Sequence, residues 1–412
     1  MTSIQFFPKY GYDMLTDTQL SRYADTLIWG VKTARTRPFR KGDIVLIRYD
    51  APALPLTEIL YTRLLEMGLN PVPRITLTPT MEKSFYLLST AKQVVFQPPG
   101  EREFYESIHG SIYLHAPESI THLSGADPKK IGKAAVARKY IRDILNRREE
   151  TGDFGWTLCM LPTQELAVHA GISIEEYSRQ IVHACFLDQP SPADAWQAIY
   201  ERSHDIKAWL NSLDVAYFHV ESDQVDLKIT PGQQRKWIGI TGHNIPSFEL
   251  FMSPDWRGTQ GVYYANQPSY RNGNYVEDVR MEFRDGIATN ISAGKGETFV
   301  KNQLAMDKGA SRVGEFSLTD KRFSKIDRFM ANTLFDENFG GEHGNCHIAL
   351  GSSYTDTYTG NTAELTEKLK NKLGFNDSAM HWDLVNTERK KITAHLNTGG
   401  QITIYEDGQF AC

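Results

Sequence analysis

The segment that most restricts the fold is Ile44-Val45-Leu46-Ile47-Arg48, taken with the thirty residues after it. It is an apolar, β-branched run after the turn Lys41-Gly42-Asp43, so it reads as a buried strand. The spacing then predicts a helix from about Leu56 to Met67, stopped by Gly68, and a second strand over Pro71-Val72-Pro73-Arg74-Ile75-Thr76. Strand, helix and strand in that order favour a parallel sheet with helices on its faces. The neighbouring pattern agrees. Leu20, Tyr23, Ala24, Leu27, Ile28 and Val31 recur at helical spacing within 16–35. Val94-Val95-Phe96, Ser111-Ile112-Tyr113-Leu114 and Gly155–Met160 read as further strands. Thr163 caps a helix start, and Ser173–Ala184 and Ser191–Leu213 read as helices. The first half is therefore expected to be α/β with a mostly parallel sheet.

Ala216–Val220 and Asp226–Ile229 alternate like sheet strands, and from about residue 225 glycines, turns and short strands dominate. The domain boundary is placed within 222–232, giving an N-terminal α/β domain (1–228) and a C-terminal α+β metal-binding catalytic domain (229–412). No Gly/Ser linker separates them, so firm packing is expected. The C-terminal half begins with Trp237–Ile240. A hairpin region is expected at 261–285, helices over 297–306 and 361–373, and closing strands over 391–395 and 401–405.

Residues 128–148 form a strongly basic helix, readable as an anion-binding face or as a solvated surface. The formal net charge of −5 favours the solvated surface and argues against non-specific nucleic-acid binding. Four cysteines, none in a CxxC pair, argue against a cysteine zinc site or a disulfide framework. No run of eighteen apolar residues predicts a membrane span, and residues 1–10 lack the basic-then-apolar pattern of a secretory signal. A cytoplasmic protein is expected.

Zincin, nucleophile-elbow and phosphate-loop signatures are absent. Oxygen and imidazole are instead concentrated between Asn332 and Asp383. In His381-Trp382-Asp383, residues two apart on an extended segment share a face, so both polar groups can reach one site. His347 lies in the apolar run Cys346-His347-Ile348-Ala349-Leu350, where a neutral imidazole could ligate zinc or cobalt or simply complete a core. Glu249 and Glu315, each taken alone, read as surface acids.

Taken together, the segments resemble the thermophilic-aminopeptidase family of two-metal peptidases (peptidase family M29, the aminopeptidase T and S type). The resemblance rests on Asn244-x-Pro246-x-x-Glu249-x-Phe251, Gly309-Ala310-Ser311-Arg312-Val313-Gly314-Glu315 and Asn332-Thr333-Leu334-Phe335-Asp336-Glu337-Asn338. It continues through Cys346–Gly351 with Tyr354, and ends at His381-Trp382-Asp383. It implies Glu249, Glu315, His347, His381 and Asp383 as metal ligands; a pair of dications needs at least one bridging acid, and Glu315 or Asp383 is the expected bridge. It implies Glu337 as a further ligand or general base, and Tyr354 as a tyrosine at the metals that donates to the oxyanion or ligates weakly. The inserted loop Phe339–Asn345 departs from the family pattern and brings Glu342 five residues before His347, so Glu342 competes for the role given to Glu337.

The implied activity is removal of N-terminal residues from peptides by water activated between two divalent ions, of Zn, Co, Mn or Mg. The implied assembly is a homodimer whose N-terminal domain helps close the site. A metal-dependent hydrolase of another amide or ester, and a binding protein without catalysis, are the alternatives.

Overall fold

A computed structural model describes residues 14–412; the expectation about residues 1–10 lies outside the described residues. The first sheet uses β1 (Ile44–Tyr49), β2 (Asn70–Ile75), β3 (Gly110–His115) and β4 (Gly155–Met160). All are parallel, in the order β2-β1-β3-β4. The continuous apolar run of β1 reflects burial on both faces. Val45 and Ile47 join the main core with Leu27 and Leu60, whereas Leu46 packs on the other side with Ile108 and Phe154. Helix Asp17–Thr33 starts at a capping box formed by Thr16 and Gln19.

Two expected elements differ. Val94-Val95-Phe96 is not a strand: a short helix, Ala91–Val94, ends there, fixed by a Thr90/Gln93 capping box. The expected helix over 361–373 is divided into a 3₁₀ turn at Thr362–Glu364 and a helix Glu367–Leu373, capped by Thr366 and ended by left-handed Gly374. The basic helix spans Pro128–Glu150 and buries Ile131, Gly132 and Ala134.

The chain next forms β5 (Val215–Glu221) and β6 (Asp226–Ile229), then returns to the first sheet with the two-residue β7 (Asn244–Ile245), parallel to β4. β8 (Glu249–Met252) comes immediately after. Next are β9 (Gln260–Ala265), the small hairpin β10 (Ser269–Arg271) and β11 (Asn274–Val276), then β12 (Val279–Arg284) and β13 (Ile287–Ser292). The last strands are β14 (Val313–Thr319), β15 (Asn345–Gly351), β16 (His381–Asn386), β17 (Lys391–Leu396), β18 (Gln401–Glu406) and β19 (Gln409–Phe410). An eight-stranded sheet runs β13-β12-β9-β6-β5-β17-β18-β19, and a four-stranded antiparallel sheet runs β16-β15-β14-β8. β5 and β6 thus pair with strands from the C-terminal half, while β7 pairs with the N-terminal sheet. The two halves are threaded through each other around residues 215–245. No helix among the described residues is long and apolar enough to cross a membrane.

Candidate metal centre

The four-stranded sheet has a strict division of faces, because side chains alternate along a strand. Even-numbered Leu250, Met252, Phe316, Leu318, Cys346, Ile348, Leu350, Trp382 and Leu384 are all buried in the core. The opposite face carries Glu249, Glu315, Ser317, His347, His381 and Asp383. Register brings them together: Glu315 is level with Ala349, and Ala349 with Asp383, while Ser317 is level with His347. This polar face is also enclosed, with Glu249 and Glu315 buried and His347 wholly so.

Glu315 lies between the two histidines. Its Oε1 is 3.2 Å from His347 Nε2 and its Oε2 is 3.5 Å from His381 Nε2. Glu249 Oε2 is 3.3 Å from His347 Nε2 and accepts a 2.9 Å hydrogen bond from Ser317. Asp383 Oδ1 lies 3.3 Å from His381 Nε2 and 3.8 Å from His347 Nε2. Two ligand groups result, Glu249–Glu315–His347 and Glu315–His381–Asp383, with Glu315 common to both. The His381 ring is oriented by the Ser352 carbonyl, 2.9 Å from Nδ1, which leaves Nε2 facing the acids. That is the arrangement a ligating histidine uses. The donor set, carboxylate oxygen and imidazole nitrogen, fits divalent cations.

The electrostatics show an excess of negative charge. Burial pulls His347 down, but Glu315, Glu249 and Asp383 outweigh it and raise it to about 9. Burial likewise opposes the rise of His381 to about 9, driven by Asp383 and Glu315. Burial lifts Glu249 to about 7, helped by Glu315 and Asp383 against His347. Asp383 goes the other way: burial would raise it, but His381, His347 and Arg271 hold it down at about 2. Positive charge placed among these carboxylates, whether protons or a divalent cation, offsets that excess.

Glu337 sits directly after the short helix Thr333–Asp336 and is buried. Burial, then Glu249, Asp383 and Glu315, push its carboxyl well above the usual range. Asn244, carried on β7, donates to its Oε1 at 3.3 Å. Asn338 fixes the adjoining segment by accepting from the Phe248 backbone at 2.6 Å. Glu342, in contrast, has 86 % of its side chain exposed and stands 3.9 Å from His343. Asn345 ties the ends of the inserted loop together by donating to the Glu337 and Phe339 carbonyls. Tyr354 lies against His381 with the rings tilted and their centroids 4.7 Å apart. The residue is 39 % exposed, and burial around its hydroxyl group, then the acids Glu315, Asp383, Glu337 and Glu249, raise its pKa well above the ordinary value.

Sequence reasoning missed the supporting groups: Ser317, Ser352, Arg271 and the contact of Asn244 with Glu337. Asn244 opens the Asn-x-Pro-x-x-Glu segment, and Ser317 stands two residues after Glu315, so both carried a signal. Arg271 carried none.

Comparison with known proteins now places the chain. The family model for thermophilic metalloproteases (M29) matches residues 16–410. Aminopeptidase T of Thermus aquaticus is 29 % identical over 308 residues, covering 70 % of this chain and 73 % of that protein. Aminopeptidase AmpS of Bacillus subtilis (strain 168) is 26 % identical over 399 residues, covering 90 % of this chain and 94 % of that one. The solved structure of wild-type AmpT from Thermus thermophilus superimposes with a TM-score of 0.78 at 21 % identity, covering 96 % of this chain and all of that chain. The parallel sheet, the antiparallel sheets and the order of the site segments belong to one inheritance: the chain is a member of the thermophilic metalloprotease (M29) family.

Proposed function

We propose that this protein is a metalloaminopeptidase that holds two divalent ions and removes N-terminal residues from peptides with a free α-amine. The observation that carries the reading is the position of Glu315, whose two carboxylate oxygens face different histidines in two overlapping ligand groups. Glu249, Glu315 and His347 would hold one ion; Glu315, His381 and Asp383 the other, with Glu315 as the bridge. Bound there, the ions supply an activated water and polarise the scissile carbonyl. Zn, Co, Mn and Mg all accept these donors.

Glu337 is the base in this reading. Its raised affinity for a proton suits it to take one from the attacking water and pass it to the leaving amine. Asn244 orients its carboxylate. Tyr354, a proton donor throughout the neutral range, donates to the developing oxyanion. Enclosure of the polar face excludes bulk water and strengthens each of these interactions.

The N-terminal α/β part acts as the site's cover, and the protein works as a cytoplasmic homodimer. Supporting the dimer, the helix Pro79–Leu88 buries none of its residues. Around it Ile75, Leu77, Met81, Leu87, Leu88 and Phe96 are exposed. A second copy is the expected occupant of that face.

The test strips metal with a chelator, restores Zn²⁺, Co²⁺, Mn²⁺ or Mg²⁺, and compares leucyl amide with its N-acetyl form. Metal-dependent cleavage of the free amine alone is expected. Full activity after metal removal would refute the proposal, and cleavage of the acetylated substrate would make the protein a different amide hydrolase.

A further inference from the structure

The β10–β11 hairpin lies where the two halves of the chain meet. Its Tyr270 hydroxyl is 3.0 Å from His169 Nδ1, on the helix Gln164–Ala170 of the N-terminal half. At its tip, left-handed Gly273 is pressed against the N-terminal half so closely that an added Cβ would stand 2.8 Å from the Leu123 backbone. Between these anchors Arg271 points to the metal-binding strand. Its guanidinium donates to the His381 backbone carbonyl at 3.0 Å and lies 5.3 Å from the centre of the Trp382 ring. Trp382 Nε1 donates in turn to Ser269 Oγ at 3.1 Å, on the same hairpin.

β16 needs such support. It is the edge strand of its sheet, paired on one side only with β15. His347 and Glu315 stand on the central strands β15 and β14, which have neighbours on both sides. Arg271 is also enclosed: burial lowers its pKa to about 10, and Asp383 is the charge that opposes this. Its Nε is buried without a hydrogen-bond partner. Keeping a guanidinium there is unfavourable unless its other bonds matter.

We propose that Arg271 is a positioning residue. With Ser269 it clamps β16, and so holds His381 and Asp383 in place opposite Glu315 for one of the two ions, while Glu249 and His347 do not depend on it. This rests on the two-ion reading of the site. Through Tyr270 and Gly273 the clamp is seated on the N-terminal half, so that half would support metal binding as well as covering the site.

The experiment titrates cobalt(II) into chelator-treated full-length protein and reads bound metal and visible absorption. The wild-type protein should take up two equivalents. Arg271→Ala should keep one at wild-type affinity and weaken the other by about tenfold or more. Arg271→Lys, which keeps the charge but not the planar fork, should show the same selective loss to a smaller degree, and it decides the matter if the alanine variant does not fold. In the His381→Ala background, Arg271→Ala should cost clearly less than it does alone, because both changes act on the same ion and only Asp383 is left for the clamp to position. Two ions held at wild-type affinity in Arg271→Ala, equal weakening of both, or additive losses in the double variant would overturn the clamp. Fewer than two equivalents in the wild-type protein would instead overturn the two-ion reading, and the clamp with it.

Discussion

Strand β1 of the parallel sheet and strands β14 and β15 of the four-stranded sheet are buried on both faces, yet they are built to opposite ends. In β1 both faces are apolar at the centre: Val45, Leu46 and Ile47 are consecutive and all buried. In the four-stranded sheet every residue of β14 and β15 is buried, but one face carries glutamates, serine and histidine. Burying carboxylates this close together disfavours folding unless positive charge compensates them. The N-terminal sheet therefore gives stability, and the four-stranded sheet gives up some of it for a face of carboxylate and imidazole donors.

Substitution on each sheet should separate the two roles. His347→Ala removes a proposed ligand from the apolar-backed face. Peptidase activity should fall at least about a thousandfold, on the order of 4 kcal/mol of transition-state stabilisation, with far-ultraviolet circular dichroism retained. A variant with near wild-type turnover would break the assignment of that face. Leu114→Ala, at a fully buried position near the C-terminal end of β3, should do the reverse. Denaturant unfolding should show a loss of about 2–5 kcal/mol, with turnover per folded molecule within about twofold of wild type. If Leu114→Ala instead lowered turnover without lowering stability, the parallel sheet would have a part in the chemistry that its packing does not suggest.

The difference between the sheets also explains what is readable in the sequence. β1 is legible because burial on both faces leaves a continuous hydrophobic run, and β2 follows from its place after the helix that Gly68 stops. β14 is harder: Glu315, Ser317 and Thr319 alternate with Phe316 and Leu318, the pattern of a strand with one wet face, but that face is closed over by other parts of the chain. Closure by distant segments leaves no local trace. The site residues become legible through the order of several short segments, since each acid or histidine alone is ordinary. Val94-Val95-Phe96 misleads because three apolar residues fit either period, while the Thr90/Gln93 box that decides for a helix lies just upstream. Arg271 is the opposite case. A lone arginine before Asn272-Gly273 signals a turn, and only the fold brings it to His381.

The smallest expected effect concerns pH, and it isolates the compensation itself. In chelated protein, Glu249 at about 7 lies above the ordinary 4.5, and His347 and His381 at about 9 lie above 6.5. A group with a raised folded-state pKa contributes stability fully below its unfolded value and loses it as pH rises through the folded one. Glu249 therefore gives up its contribution between about pH 4.5 and 7, and the histidines theirs between about pH 6.5 and 9. Asp383, lowered to about 2, has the reverse sign, but its contribution is complete above about pH 4 and stays constant across this range. Thermal unfolding of the chelated protein should accordingly shift to lower temperature by several degrees from about pH 5 to about pH 9. Added Zn²⁺ should flatten or reverse that slope, because an ion bound only by the folded chain replaces the protons being lost. A chelated protein whose melting temperature climbed steadily over the same range would mean that the acids of β8, β14 and β16 are not packed against the two histidines, and the contrast between the sheets would fail with them.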